Sequence, residues 1–551
     1  MKIYKISLFM LGVTMLTTAC NDIDKQNPER GTLTKDQVQA TNEAIPERMQ
    51  ATFSGMFSMM GRPHGTWPTG GNANRADDFG FIMSALSLDL EGADMHIPDV
   101  GYNWFSTCGE YSSRNANYAN PYIRYVTPYR QIGICNEIIG SYAADTQDPD
   151  AINQIAQARA MRAFDYMALA PYFQFTYAQA KDSPCIPILK DGVDYANNPR
   201  ATVEEVWNYI LDDLNYAVEH LTAERATKDL INLNVAYGLR ARANLVMQNW
   251  SAAVSDAEKA MEGYTPATIS EVSKPAFVDI NEHNWIWGIN ITTELQALGA
   301  YCTSSSWVCA FSGDSYAAAV QCTPMINVLL YDKIPETDVR KGWWLDENLH
   351  SPNWADLSWT DPKTGVTAVG DQLGEFYIED VKEAYLPYTN IKFGMKSGVG
   401  STINNNDWPL MRVEEMILIK AEALAKGGNE AQGRQVLEDF IKKYRDPSYS
   451  STASGRSFEN EVWFQRRVEL WGEGFFMFDA RRLSKPIVRF QASKASNLSD
   501  AFIFNISADD QWLNMRFPQT EIDNNFGIID NTGSQIPSAG QNPNLRDGVT
   551  D

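Results

Sequence analysis

The stretch QRRVELWGEGFFMFDARRL, residues 465–483, sets four arginines and three acids among large apolar side chains. On a helix Glu469 and Glu473 lie one turn apart, with Cβ atoms about 5 to 6 Å from each other, a spacing that suits two carboxylates flanking one glycosidic bond. The neighbours argue for another use. Arg466 and Arg467 precede Glu469, and Arg481 and Arg482 follow Asp479, so positive charge is placed to hold the acids ionised. A general acid needs its pKa raised by burial or like charge, not lowered by guanidinium pairing. Gly472 and Gly474 also interrupt the helix. The segment reads as a turn locked by charge pairs, with Phe475, Phe476 and Phe478 driven into the core, and it assigns no catalytic residue.

Outward from this turn, apolar residues recur at helical spacing. PYIRYVTPYRQIGICNEIIGSY (121–142) and DAINQIAQARAMRAFDYMALAPYF (150–173) predict a pair of antiparallel helices. In 201–221, Thr202 stands three residues before Glu205, a capping-box arrangement. Residues 234–262 predict two helices parted near Asn249, and their alanines allow close approach, as in tetratricopeptide units. The stretch 409–444 supplies a further pair. Such pairs bury a continuous core only by stacking, so the expected fold is mostly α, with helical pairs at about 121–262 and 409–483.

Two regions, about 61–118 and 263–408, are richer in Gly, Ser, Asn, Pro and Trp and read as irregular segments carried on the helical scaffold. NWIWGINIT (284–292) alternates like a short strand, with Trp285 and Trp287 on one face, and core burial is expected for at least one of them. The run GWWLDENLHSPNWADLSW (342–359) reads as a polar loop whose four tryptophans form a binding wall or a partner surface.

The first nineteen residues read as a signal peptide. Lys2 and Lys5 precede an apolar stretch, Ile6 to Leu16, far shorter than the roughly 20 residues of a membrane-spanning helix. LTTAC places Ala19 before Cys20 in the manner of a lipoprotein signal, where the Cys is acylated; the alternative is plain secretion. Residues 20–32 are polar and suit a flexible tether, leaving 33–551 as a single body. The remaining cysteines form no CxxC pair and the chain has five histidines, so a metal site is not expected. Disulfides and free buried thiols stay open. The formal charge of -23 argues against nucleic acid partners.

RRVELWGEGFFMFDARR resembles the C-terminal signature of SusD/RagB-type lipoproteins, ERRxELxxEGxRxxDLRR. Arg466, Arg467, Glu469, Glu473, Gly474, Asp479, Arg481 and Arg482 fall in register; Gln465 replaces the usual Glu and Phe476 the usual Arg. Further segments follow in the family's order, from DDFGFIMSALSLDLEGADM to PLMRVEEMILIKAEALAKGG. The resemblance implies a SusD-like fold, mostly helical, with tetratricopeptide-like units under a less regular ligand-binding half. It implies a non-catalytic, lipid-anchored outer-membrane protein at the cell surface. Such a protein needs no cofactor, captures oligosaccharide or polysaccharide, and delivers it to a SusC-like TonB-dependent transporter. A peptide-binding RagB-like role and, further off, a glycoside hydrolase are the alternatives.

Sugar rings stack their C–H faces on aromatic side chains, while polar side chains satisfy the hydroxyls. Trp104, with Asn103, lies in a region that resembles the family's first aromatic platform, and Tyr301 resembles the position of another. Trp307 and Tyr316 are further candidate platforms, and Arg75 and Asp78 candidate polar contacts.

Overall fold

Capping chemistry sets where the helices begin in the computed structural model, which describes residues 41, 46–62, 80–98, 104–190, 193–292, 295, 303–315, 317, 323–375 and 385–551. Helix α1 spans Pro46–Ser58, α2 Phe81–Glu91, α3 Trp104–Gly109 and α4 Ala119–Gly140. The α5 helix, Pro149–Phe173, starts where the Asp148 carboxylate accepts from Asp150 N, with Pro149 in the first turn. At α6, Val203–His220, both reciprocal bonds of the Thr202–Glu205 capping box are formed. Helices α7, Leu233–Val246, and α8, Trp250–Ala260, part at Asn249 as the sequence suggested. The chain continues through α9 (Val413–Lys426), α10 (Glu430–Tyr444), α11 (Phe458–Glu469) and α12 (Phe476–Arg482).

The fold is mostly α, and the helices stack in chain order, α4 on α5, then α6, α7 and α8. Helix α9 packs directly on α8, so the stack resumes although the chain has run through residues 261–412 in between. Small side chains permit this approach: Ala253, Ala257 and Ala260 of α8 are fully buried. Gly433 does the same between α9 and α10, where a Cβ would meet the Ala421 carbonyl oxygen at 2.5 Å.

Strands are short. β1 (Met95–His96) pairs antiparallel with β3 (Met325–Ile326), β2 (Trp285–Ile289) with β6 (Trp408–Arg412), and β4 (Ser358–Thr360) with β5 (Thr367–Val369). The β2–β6 pair joins the start of the irregular region to its end, with Trp285 opposite Arg412 and Ile289 opposite Trp408. β6 then leads straight into α9. A small separate core, with Leu418, Leu437, Ile441 and Val462, fills the space between α9, α10 and α11.

The structure departs from the sequence reading in several places. Residues 81–91, inside a stretch read as irregular, form α2; Ile82, Met83, Leu86 and Leu90 are buried, but so are Ser87, Asp89 and Glu91, and the buried polar residues masked the helical period. The tryptophans of 342–359 do not form an exposed wall: Trp343, Trp344 and Trp354 are fully buried and Trp359 is half-buried. Two of them reach acceptors from inside, Trp343 Nε1 donating to Val272 O at 2.8 Å and Trp354 Nε1 to Asp371 Oδ1 at 2.7 Å, which removes the main cost of burying an indole. Of the three signature phenylalanines, Phe476 is buried while Phe475 and Phe478 are half-buried. Trp285 and Trp287 are both core residues, and Cys108, Cys135, Cys185 and Cys309 are free, buried thiols.

Candidate functional site

The signature turn lies at the centre of a buried charge network. Glu469 ends α11 and accepts from Arg340, Arg412 and Arg445, at 3.2, 3.1 and 2.8 Å. Glu473 accepts from Arg412 Nε at 2.9 Å and from Lys392 Nζ at 2.6 Å. Burial alone would raise the Glu469 carboxyl, but the guanidiniums of Arg445, Arg412 and Arg340 outweigh it and hold the group well below the usual carboxylate range. Its partners are not the arginines next to it in sequence. Arg466 donates instead to Asp479 at 2.7 Å, and Arg467 bridges Asp94 and Asp547 at 2.5 and 2.6 Å. Arg482 closes the set on Glu422 and Asp479. These acids are buried and matched to guanidiniums, the condition of a brace and not of a proton donor.

Lys392 carries the brace into the irregular half. Its ammonium donates to Glu469 O, Trp471 O and Glu473 Oε1, and sits 4.9 to 5.2 Å from the ring centroids of Trp343, Phe277 and Phe393. Burial pushes its pKa down to about 8, with Glu473 pulling the other way. Phe393 stacks on Trp408 and Trp344 meets Trp471 edge-on, so the tryptophans of the loop half are packed against the signature turn.

The candidate platform segments meet on this frame. Phe105, the second residue of α3, packs edge-to-face on Trp307 at 4.2 Å between ring centroids. Trp307 lies in the single helical turn Ser304–Val308. Trp104 opens α3, immediately before Phe105, and position 301 lies two residues before Thr303, the cap of the Ser304–Val308 turn. The contact therefore joins the two segments singled out in the sequence, some two hundred residues apart.

Asparagines fasten the second of these segments. Asn390 Nδ2 donates to Val308 O at 3.0 Å, Asn406 N donates to Ser305 Oγ at 3.0 Å, and Ser312 Oγ donates to Asn404 Oδ1 at 2.6 Å. Sequence reasoning passed over these residues; the run INNNDW at 403–408 was the available signal, since clustered amides suit backbone satisfaction in a region without regular ladders.

Trp307 itself is a correction. It is 1% exposed, its ring consumed by Phe105 and the core, so it has no free face for a sugar. Trp104 is described as the first residue of α3. Asn103, Tyr301, Tyr316, Arg75, Asp78 and Cys20 lie outside the described residues. Among the described residues no cluster of His, Cys, Asp and Glu has the makings of a metal site, and no helix is long and apolar enough to cross a membrane.

Residues 378–537 match the model of the SusD family. Solved structures share the fold over nearly their whole length. A SusD-like carbohydrate binding protein from Bacteroides vulgatus is 22% identical, covering 89% of this chain and 98% of its own, with a TM-score of 0.68. A SusD superfamily protein from the same organism is 17% identical over 89% and 99%, again at 0.68. Surface glycan-binding protein A from Bacteroides uniformis is 14% identical over 88% and 99%, at 0.59. No curated protein matches the chain. The matched segment contains the whole signature turn whose acids and bases the fold buries, and the chain shares its fold with these SusD-like structures.

Proposed function

We propose that this protein is a cell-surface glycan-binding lipoprotein, tethered through acylated Cys20, that captures oligosaccharide and passes it to a SusC-like TonB-dependent transporter in the outer membrane. The observation that supports the reading is the Phe105–Trp307 contact, which brings α3 and the Ser304–Val308 turn together beside the asparagine-fastened loop. Two platforms on separate segments allow a chain of sugars to be gripped at more than one ring, with the stacking face apolar and the rim polar. Similar structures described as a carbohydrate binding protein and as a surface glycan-binding protein support the same class of ligand. The role is capture without turnover, because the carboxylates four residues apart in the signature are buried in ion pairs with arginines.

Affinity electrophoresis of the chain lacking residues 1–20, through gels containing individual polysaccharides, tests the proposal. Retarded migration in at least one gel, with the saccharide recovered intact, is expected. Cleaved saccharide would establish an enzyme, and binding only to peptides would establish the RagB-like alternative.

A further inference from the structure

Beneath the signature turn, on the side of α2 and α5, lies a second site of different chemistry. A cavity of about 90 Å³ is walled by Phe81, Leu88, Met167, Pro171, Phe475 and Phe478. Five of these wall residues, all except Met167, are only half-buried and form its mouth. Arg481, Arg114 and Glu91, all buried, also line it.

The charges there do not balance. Glu91 meets both Arg114, at 3.1 Å, and Arg124, at 2.7 Å. Arg489, close by, donates only to the backbone carbonyls of Leu90, Glu91, Gly92 and Gly109. Arg481 is 4% exposed and uses only Nη2, donating to Gln174 O and Asn514 Oδ1; its Nε and Nη1 have no acceptor. Among the described residues Glu91 is thus the one carboxylate paired with this group of four guanidiniums. Burial, reinforced by the nearby Arg114 charge, pushes the Arg481 pKa down to about 10, the response expected of a cation without a counter-charge. A buried charge left unpaired is costly, and a buried N–H without an acceptor adds to that cost.

We infer that this cavity binds a small monocarboxylate with a short apolar tail, one carboxylate oxygen accepting from Nη1 of Arg481 and the tail lying against the phenylalanine-lined mouth. A hydrogen bond between a guanidinium and a carboxylate is charge-assisted and roughly twice as strong as one between neutral groups. One water needs roughly 10 to 15 Å³ of such space, so the cavity has room for several solvent molecules or a short hydrocarbon chain. The ligand is distinct from the glycan, and its site shares no residue with the Phe105–Trp307 junction.

Isothermal titration of the full chain with butyrate and hexanoate in low-salt buffer tests the inference, with sodium chloride, acetate and hexanol as comparison ligands. Hexanoate is expected to bind more tightly than acetate, and to weaken at least tenfold in Arg481→Gln. Because that variant alters a buried charge, Ala168→Phe, at a half-buried residue of α5 that also lines the cavity, serves as an independent test: it fills the space without removing a charge and is expected to abolish hexanoate binding while leaving glycan retardation unchanged. Absence of heat with hexanoate, equal binding of chloride, or hexanol binding as well as hexanoate would each overturn the inference. So would hexanoate affinity surviving in folded Arg481→Gln.

Discussion

Arg445 grips Glu469 in a two-point fork, Nε donating to Oε2 and Nη2 to Oε1, each at 2.8 Å, although 24 residues separate them. The carboxylate also takes Arg340 and Arg412, so its removal would leave three buried guanidiniums short of a counter-charge. Glu469→Gln is predicted to cost about 3 to 5 kcal/mol, the range for breaking a buried ion pair by deleting one partner. Urea denaturation should show a lower midpoint at unchanged slope, while the folded fraction keeps its glycan affinity. Lost binding at full stability would instead place Glu469 in the ligand site.

The turn after α11 makes a second prediction. Gly474 has φ +88°, and a Cβ there would lie 2.7 Å from Ala85 Cβ and 2.9 Å from its Cα. Gly428, just past α9, has φ +93° with open space around it. Gly428→Ala should cost about 1 to 2 kcal/mol for the left-handed conformation alone. Gly474→Ala carries the same conformational cost plus a collision with the α2 backbone, and should be the more destabilising of the two in parallel thermal melts.

Two buried groups should pull stability in opposite directions with pH. Burial raises Asp89 to about 7, against backbone N–H donation from Gly474 and Phe476, whereas burial lowers His96 to about 4. For Asp89 the folded state binds the extra proton, so its contribution to stability falls as pH rises from about 4 to 7. For His96 the unfolded state binds the proton, so its contribution rises with pH between about 4 and 6.5. Each effect is on the order of 3 to 4 kcal/mol over its full window. Relative to wild type, Asp89→Asn should gain stability as pH is raised from 4.5 to 7 and His96→Asn should lose it; melts at four or five pH values check both signs.

Platform variants probe the glycan site directly. Trp104→Ala or Tyr301→Ala is predicted to weaken polysaccharide retention by about 1 to 3 kcal/mol, roughly 5- to 150-fold, with melting temperature unchanged. Trp307→Ala should behave differently, lowering stability by about 3 to 5 kcal/mol because it opens a hole in the core. Retention by the wild-type protein should vary little with salt for a neutral glycan, and strongly for a charged ligand.

The helical scaffold was legible because its signals are local. The Thr202–Glu205 box, the break at Asn249 and the alanine spacing of α8 all act within one or two turns. The signature was readable as a brace from the mere presence of arginines, but its wiring was not. Glu469 found partners at 340, 412 and 445, positions that only the tertiary fold brings together, while the adjacent Arg467 turned away to Asp94 and Asp547. Tryptophans were the hardest to place. An indole in a polar stretch looks exposed, yet Trp343 and Trp354 lie inside because a carbonyl and a carboxylate wait for their N–H groups, and no spacing rule announces such acceptors.

Arg467 clasps Asp94, 373 residues upstream, and Asp547, 80 residues downstream. A ribosome working at about 5 to 20 residues per second needs roughly 4 to 16 seconds to pass from Arg467 to Asp547. For that interval the guanidinium has only half of its clasp.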